Sequence, residues 1–437
     1  MPSARSLVAL SLVALVGCGT PSSAGQRPYV LPTRPEVLPA PSPPPDPPVK
    51  DPWLAYLTDV NPGSAVQFVT SQDGWRLDGQ YGAPYLDGSL ASGPNGTIFD
   101  WPGSSLSKSG DGGQHWTTIF AKGDAIWGFD VLSPKVGWVV GVTSLSRTDD
   151  GGATWKQVGE PAAEALVTVD FATADIGYGL TTAGRLARSV DGGESWSSQT
   201  LPAPASALCS ASAQTGYVSD ERGNVLRTDD GGATWTVSEP SPISADNLVP
   251  FWSQLSCNDD HVWQALRLLD PLIHYGGEPY AVAFSSDQGA TWSAAAANSP
   301  DPGVKIPVAP RPFDEISVLA GTTSGDGFLV GWPTTGWSLQ IEKLSATGGV
   351  TAGTVPTLDA GSVPYPEAAG YLEVHGATFV GPDGWVSLND DAIGSNAGPE
   401  TETILLHTAD GGRSWAILEA GAPQRPPPMQ TGEVPKS

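Results

Sequence analysis

The chain has 437 residues, with 46 acidic residues against 21 basic ones and a formal charge of −25. That balance excludes a protein that finds phosphate backbones or anionic headgroups by charge, so nucleic acid is not an expected partner. The length calls for two or three compact domains, unless the sequence repeats itself.

The first residues, MPSARSLVALSLVALVGCGT, read as an export signal: Arg5 gives a short positive region, and residues 6–16 form an apolar core too short to span a bilayer. The tetrapeptide LVGC at 15–18 resembles the bacterial lipobox. That resemblance implies removal of residues 1–17, a diacylglyceryl thioether on Cys18, and an extracytoplasmic protein whose membrane partner is reached through this lipid. A plain secretory signal with a free Cys18 is the other reading. Residues 18–52, with the run PAPSPPPDPPVK, form an extended spacer, because proline fixes φ and donates no backbone hydrogen bond. Residues 421–437 read as a disordered tail. The folded part, 53–420, holds all but six of the basic and all but four of the acidic residues.

Within it an eight-residue element recurs: SGDGGQHW (109–116), TDDGGATW (148–155), SVDGGESW (189–196), TDDGGATW (228–235), SSDQGATW (285–292) and TADGGRSW (408–415). A degenerate copy, SATGGVTA (345–352), has Thr347 for the Asp and Ala352 for the Trp, which makes seven units. Upstream of each stands a small or apolar residue followed by an aromatic one: Gly74-Trp75, Gly137-Trp138, Gly177-Tyr178, Gly216-Tyr217, Val262-Trp263, Gly327-Phe328 and Gly384-Trp385. Before these pairs come Phe68, Phe129, Phe171 and Phe379, a place taken by Cys209 and Cys257 in the fourth and fifth units. The runs between are short, β-branched and close to period two, which predicts strands. Each unit then holds four: one with the Phe, one from the Gly-aromatic pair, one into the Ser/Thr, and one opened by the Trp. Seven such units predict an all-β chain folded as a seven-bladed β-propeller of four-stranded antiparallel blades. The segment WLAYL (53–57) is spaced from Phe68 as Trp155 is from Phe171, so it reads as a further outer strand that helps to close the ring.

The element S/T-x-D-x-G-x-x-W resembles the Asp-box, or BNR repeat, of sialidases and sortilin-type receptors. With its upstream Gly-aromatic pair it is most similar to the photosystem II stability/assembly factor family. The resemblance covers roughly 66–416 and implies a propeller whose partner is an assembling membrane complex. It is specific for fold and weak for function.

Read from the residues, each box is a hairpin clasp. Asp111, Asp150, Asp191, Asp230, Asp287 and Asp410 accept backbone N–H groups of a tight turn, whose glycines take φ > 0. Trp116, Trp155, Trp196, Trp235, Trp292 and Trp415 bury a large apolar face. A basic side chain precedes several boxes (Lys108, Arg147, Arg188, Arg227, with His407 in the last), either as a positive arc for a partner or as local salt bridges.

Six copies of one motif around a ring do not make an asymmetric catalytic site, so the chain is expected to catalyse nothing. A sialidase would need an Arg-Ile-Pro motif, which is absent. A glycoside hydrolase needs two carboxylates across a cleft, and no pair is marked; this is the enzymatic alternative, alongside a glycan-binding module. The five histidines lack metal-ligand spacing, so no cofactor and no metal is expected. The acidic run 389–402 reads as a solvated loop rather than a Ca²⁺ site. Cys209 and Cys257 are read as small apolar residues or as an inter-blade disulfide. Equivalent positions in adjacent blades point the same way round the ring, which disfavours the bond.

The box aspartates are 39–41 residues apart up to Asp230, and beyond it the spacing is 57–63 with Thr347 counted in the sixth box. The added residues fall in 269–280, 293–314, 351–371 and 389–402, loops of the face opposite the boxes, which suggests a recognition surface there. His274, Tyr275, Tyr280, Trp332 and Trp337 are its candidate contacts. The reading is a monomeric, lipid-anchored scaffold whose ligand is a protein or a glycan.

Overall fold

The computed structural model describes residues 66–78, 105–121, 126–141, 144–159, 165–238, 249–258, 260–269, 279–298, 313–333, 339–345, 350–353, 355, 372–390 and 403–418. Every regular element among them is a strand. Blade 1 is β1 (Val66–Phe68), β2 (Gly74–Asp78), β3 (Ser105–Ser109) and β4 (Thr117–Phe120). Blade 2 is β5 (Ile126–Val131), β6 (Gly137–Gly141), β7 (Leu145–Thr148) and β8 (Lys156–Val158), and blade 3 is β9 (Leu166–Phe171), β10 (Gly177–Thr181), β11 (Leu186–Ser189) and β12 (Ser197–Ser198). Blade 4 is β13 (Ala205–Ser210), β14 (Gly216–Asp220), β15 (Val225–Thr228) and β16 (Thr236–Val237), and blade 5 is β17 (Val249–Cys257), β18 (Val262–Leu269), β19 (Tyr280–Ser285) and β20 (Ser293–Asn298). Blade 6 is β21 (Phe313–Gly321), β22 (Gly327–Pro333), β23 (Gln340–Leu344) and β24 (Val350–Ala352), and blade 7 is β25 (Leu372–Val380), β26 (Asp383–Asp390), β27 (Thr403–Thr408) and β28 (Ala416–Leu418). Each forms its own four-stranded antiparallel sheet in sequence order, so the chain is the seven-bladed β-propeller that its repeats predict. First strands of neighbouring blades touch one another, which puts them innermost.

The Gly-aromatic pair has a steric cause. Phe68 pairs with Gly74, Phe171 with Gly177 and Phe379 with Gly384. A Cβ on these glycines would lie 2.4, 2.4 and 2.2 Å from the facing phenyl ring, so only glycine lets the ring lie flat over the neighbouring strand. Blade 5 has Val262 there because its partner is Cys257 rather than Phe. The aromatic residue that follows points to the next blade and is buried in all seven units.

Between blades 2 and 3, Trp138 stacks on Phe171 at 3.6 Å, with Trp196 edge-on at 6.0 Å. The same sandwich joins blade 6 to blade 7 (Phe328, Phe379, Trp415) and blade 7 to blade 1 (Trp385, Phe68, Trp116). The last of these closes the ring. Trp385 Nε1 donates to Gly112 O at 3.0 Å, and Phe68 N donates to Thr378 Oγ1 at 3.4 Å. Blade 7 takes its four strands from one continuous stretch, with β28 outermost. The strand expected at 53–57 lies outside the described residues.

The extra length after Asp230 is not all loop. The first strands β17, β21 and β25 have nine residues each, where β5, β9 and β13 have six. Blade 6 forms although its box is degenerate, with β23 pairing β24 through Leu344 and Val350.

Candidate functional site

In the second box, Thr148 Oγ1 donates to Asp150 Oδ1 at 2.8 Å and accepts from Gly152 N at 2.9 Å. Asp150 Oδ1 accepts from Thr154 N at 2.8 Å, and Oδ2 accepts from Thr154 Oγ1 at 2.6 Å. Gly151 and Gly152 have φ of +73° and +92°, a region closed to most side chains. Asp191, Asp230, Asp287 and Asp410 repeat this pattern with Ser195, Thr234, Thr291 and Ser414. Asp111 uses His115, through its backbone N–H and Nδ1. In blade 5 the first turn glycine is Gln288, at φ +58°, and Arg227 of blade 4 donates to its carbonyl at 2.6 Å.

These hydrogen bonds favour the carboxylate form. The Thr154 hydroxyl and backbone N–H lower Asp150, and those of Thr234 lower Asp230 to about 2. The Ser414 hydroxyl does the same for Asp410, that of Ser195 for Asp191 and that of Thr291 for Asp287. A carboxylate held ionised has no proton to give near neutral pH, so these groups cannot be general acids. Asp150→Ala is expected to destabilise the protein, as three bonds at a turn are lost, with Asp150→Asn losing less. Equilibrium denaturation measures both.

The box tryptophans bind blade to blade. Trp155 Nε1 donates to Ile119 O at 2.9 Å, Trp196 Nε1 to Gly159 O at 3.0 Å and Trp292 Nε1 to Ser238 Oγ at 2.9 Å, each at the outer strand of the preceding blade. Trp116 and Trp415 donate to the carbonyls of Gly113 and Gly412 in their own turns. Trp235 packs edge-on against Tyr178 of the preceding blade. The basic residues before the boxes act in the same sense. Lys108 Nζ donates to Pro134 O at 2.7 Å and Arg147 Nη1 to Ala174 O at 2.7 Å, both in the next blade. Arg147 and Arg227 also pair with Asp149 and Asp229, and His407 meets Asp383 at 3.2 Å. The expected local salt bridges are thus present, and Lys108, Arg147 and Arg227 add inter-blade ties that the sequence reading did not include.

The inner ring carries a second series of ties that sequence reading missed. On each first strand, the residue opposite the aromatic faces the following blade. Gln67 Oε1 accepts from Val131 N at 2.9 Å, Asp130 Oδ2 from Phe171 N at 2.7 Å and Asp170 Oδ2 from Ser210 N at 3.0 Å. Ser256 Oγ accepts from Gly321 N at 2.8 Å, and Thr378 Oγ1 from Phe68 N as above. The signal was a polar residue opposite the aromatic on the first strand, as in FDV (129–131) and VDF (169–171); blade 6 has Ala320 there and no such tie among the described residues. Burial raises Asp130 well above the usual carboxylate range, helped by the charge of Asp170. Burial likewise raises Asp170 to about 6, against the lowering effect of the Ser210 bonds.

At the joint between blades 4 and 5 this tie is covalent: Cys209 and Cys257 form a disulfide, with Cα atoms 6.0 Å apart. The geometric objection to that bond fails because the two positions are not equivalent. Cys209 pairs with Tyr217, opposite the aromatic, whereas Cys257 pairs with Val262, one residue further along its strand. One residue on a strand reverses the face, so Cys209 points forward and Cys257 points back.

The expected recognition residues fare differently. Tyr280 is not a surface contact: it is 1% exposed and packs with Trp263, Val282 and Ile316. It opens β19 rather than ending the loop, so its side chain follows the strand's alternation into the core. Trp332 lies on β22, in register with Glu315 of β21. His274, Tyr275 and Trp337 lie outside the described residues, as do Cys18, the run 391–402 and the middles of the other inserts. Among the described residues no group of three His, Cys, Asp or Glu side chains is placed to hold a metal ion, and no helix is long and apolar enough to cross a membrane.

The family model of the photosynthesis system II assembly factor YCF48 matches residues 154–237, from the second box to the outer strand of blade 4. Solved structures of similar architecture include YCF48 bound to a D1 peptide, with 17% identity, 68% of this chain and 81% of that chain covered, and a TM-score of 0.43. YCF48 from Cyanidioschyzon merolae aligns at 15% identity, over 67% of this chain and 84% of that one, with a TM-score of 0.43. The GH74 xyloglucanase of Xanthomonas campestris aligns at 11% identity, over 84% of this chain and 69% of that one, with a TM-score of 0.46. No curated protein matches the chain in sequence. The chain is thus a seven-bladed Asp-box β-propeller that is similar, over residues 154–237, to the YCF48 photosystem II assembly factor family.

Proposed function

We propose that this propeller is a non-catalytic, protein-binding scaffold of the cell envelope, held to the membrane by a lipid on Cys18. The observation that carries the reading is the assembly-factor family match across two consecutive blades. The chemistry of the boxes supports it, since their carboxylates are spent on turns and their cations on neighbouring blades. The disulfide supports the location, because such bonds persist in oxidising compartments outside the cytosol. The lipobox-like LVGC at 15–18 supports the anchor.

Three measurements test this. Metabolic labelling with a lipid analogue should mark the full chain, and Cys18→Ala should lose the label and leave the membrane fraction; an unlabelled wild type overturns the anchor. Crosslinking in intact cells should capture a specific membrane protein. If purified protein instead releases reducing ends from xyloglucan or other glycans, the scaffold reading falls and the carbohydrate-active alternative replaces it.

A further inference from the structure

The inner ties differ in one chemical respect. Gln67, Ser256 and Thr378 are neutral acceptors, whereas Asp130 and Asp170 place two carboxyls at successive joints, 2 to 3 and 3 to 4. Among the described residues neither has a cationic partner within hydrogen-bond reach. Asp130 meets the backbone N–H of Phe171 and the side chain of Gln67. Asp170 meets the backbone N–H and hydroxyl of Ser210. Across the sheets, Trp138 stands between Asp130 and Arg147, and Tyr178 between Asp170 and Arg188. From β1 comes Gln67. The strand β2 carries Arg76 and Asp78, which pair with each other at 2.6 Å. The strand β6 has no ionisable residue, and β10 contributes Tyr178, whose phenol burial raises further. The only titratable type on β13 is Cys209, locked in the disulfide. Asp130 is buried and Asp170 half-buried. Two like charges so placed, with no cation in contact, are unfavourable, and a proton relieves them while leaving an oxygen to accept the backbone N–H.

We propose that Asp130 and Asp170 form a proton-linked latch across blades 2, 3 and 4, which binds a proton when the blades are closed and releases it when they part. Acidification therefore tightens this arc of the inner ring. The sign follows from linkage. The parted state has carboxyls near the usual 3.8, while in the closed state burial holds Asp170 near 6 and lifts Asp130 well above the ordinary carboxylate range. Stability from these groups is complete below 3.8 and is lost as the pH rises through the folded values. The box aspartates, lowered instead, keep their contribution until the pH falls below the ordinary carboxylate range, so the two sets have opposite pH responses.

The test is amide hydrogen exchange at Phe171 and Ser210 in the full chain, corrected for the intrinsic pH dependence. From pH 5 to pH 7.5 the protection of these amides should fall about tenfold in the wild type, the ratio that linkage gives for one such group. In Asp130→Asn/Asp170→Asn the fall should vanish, while the amide of Gly321, tied by the neutral Ser256 hydroxyl, should show none in either protein. A wild type with flat protection, or a double variant with the same slope, overturns the latch. Carboxyl ¹³C shifts of the unmodified protein give an answer independent of variant folding. A resonance that stays protonated at pH 6 supports the latch, and full ionisation of every aspartate by pH 5 overturns it.

Discussion

Trp138→Ala is expected to lower the unfolding free energy by about 3–5 kcal/mol, the range for emptying a large aromatic site in a packed core. Trp138 is 0% exposed. Its indole lies parallel to Phe171 of the next blade at 3.6 Å, and its Nε1 donates to Gly192 O at 2.9 Å. Truncation removes the stack, opens a cavity between two blades and leaves the Gly192 carbonyl only the long 3.5 Å contact from Arg147 Nη1. The neighbours cannot close the gap cheaply. Phe171 lies against Gly177, which offers no side chain to follow it. Arg147, 5.2 Å from the indole, is committed to Asp149 and to Ala174 O. Trp138→Phe separates the terms: it keeps a ring for stacking, loses the Nε1 bond, and should cost about 1–2 kcal/mol. Denaturant titration read by far-ultraviolet circular dichroism measures both, and an alanine variant within 1 kcal/mol of wild type would show that blade 2 is not coupled to blade 3 through this stack.

The fold was legible because a propeller repeats its own constraints. The Gly-aromatic pair and the box each report one strand junction, and their recurrence fixes strand order and blade count without any long-range knowledge. The same repetition hid what varies. Asp130 and Asp170 sit in runs that look like ordinary half-buried strands, and only the structure shows that their side chains reach the next blade. Aligning Cys209 with Phe171 was wrong by one position, and on a strand that reverses the face. Tyr280 misled for a related reason. An aromatic beside a long insert looks like a loop contact, yet part of the added length in blades 5 to 7 had gone into longer strands that carry such residues inward. The basic residues before the boxes were read as charges, and Arg147, Arg227 and His407 do pair with carboxylates, but Lys108, Arg147 and Arg227 also donate to backbone carbonyls one blade away. A sequence can show that a side chain can donate, but a carbonyl acceptor has no side-chain signature.

Breaking the disulfide should have the second large effect, and its size separates covalent from non-covalent closure of the ring. Cys209 and Cys257 are 48 residues apart, and a loop of that length gives about 4 kcal/mol in the chain-entropy account. The joint should nevertheless hold when the bond is cut. Ser206 Oγ and Ser253 Oγ lie 2.8 Å apart across it, and Gln264 Nε2 reaches Ser219 Oγ at 3.0 Å and Gly223 O at 2.9 Å. Farther out, Arg227 and Trp292 add their ties to Gln288 O and Ser238 Oγ. The expected result is a folded protein with a lower Tm in reductant, and a Cys209→Ala/Cys257→Ala variant whose Tm reductant does not change. Thiol titration of the denatured wild type should find neither cysteine free without reductant; two free thiols there, or a wild-type Tm unmoved after verified reduction, would remove the bond from the account of stability. Cys209→Ser/Cys257→Ala carries the test further. Position 209 is where Ser256 and Thr378 hold their joints by accepting a backbone N–H. A serine hydroxyl there should regain about 1 kcal/mol over alanine, the worth of one such bond, which would show that the disulfide occupies the place of a hydrogen-bonded tie.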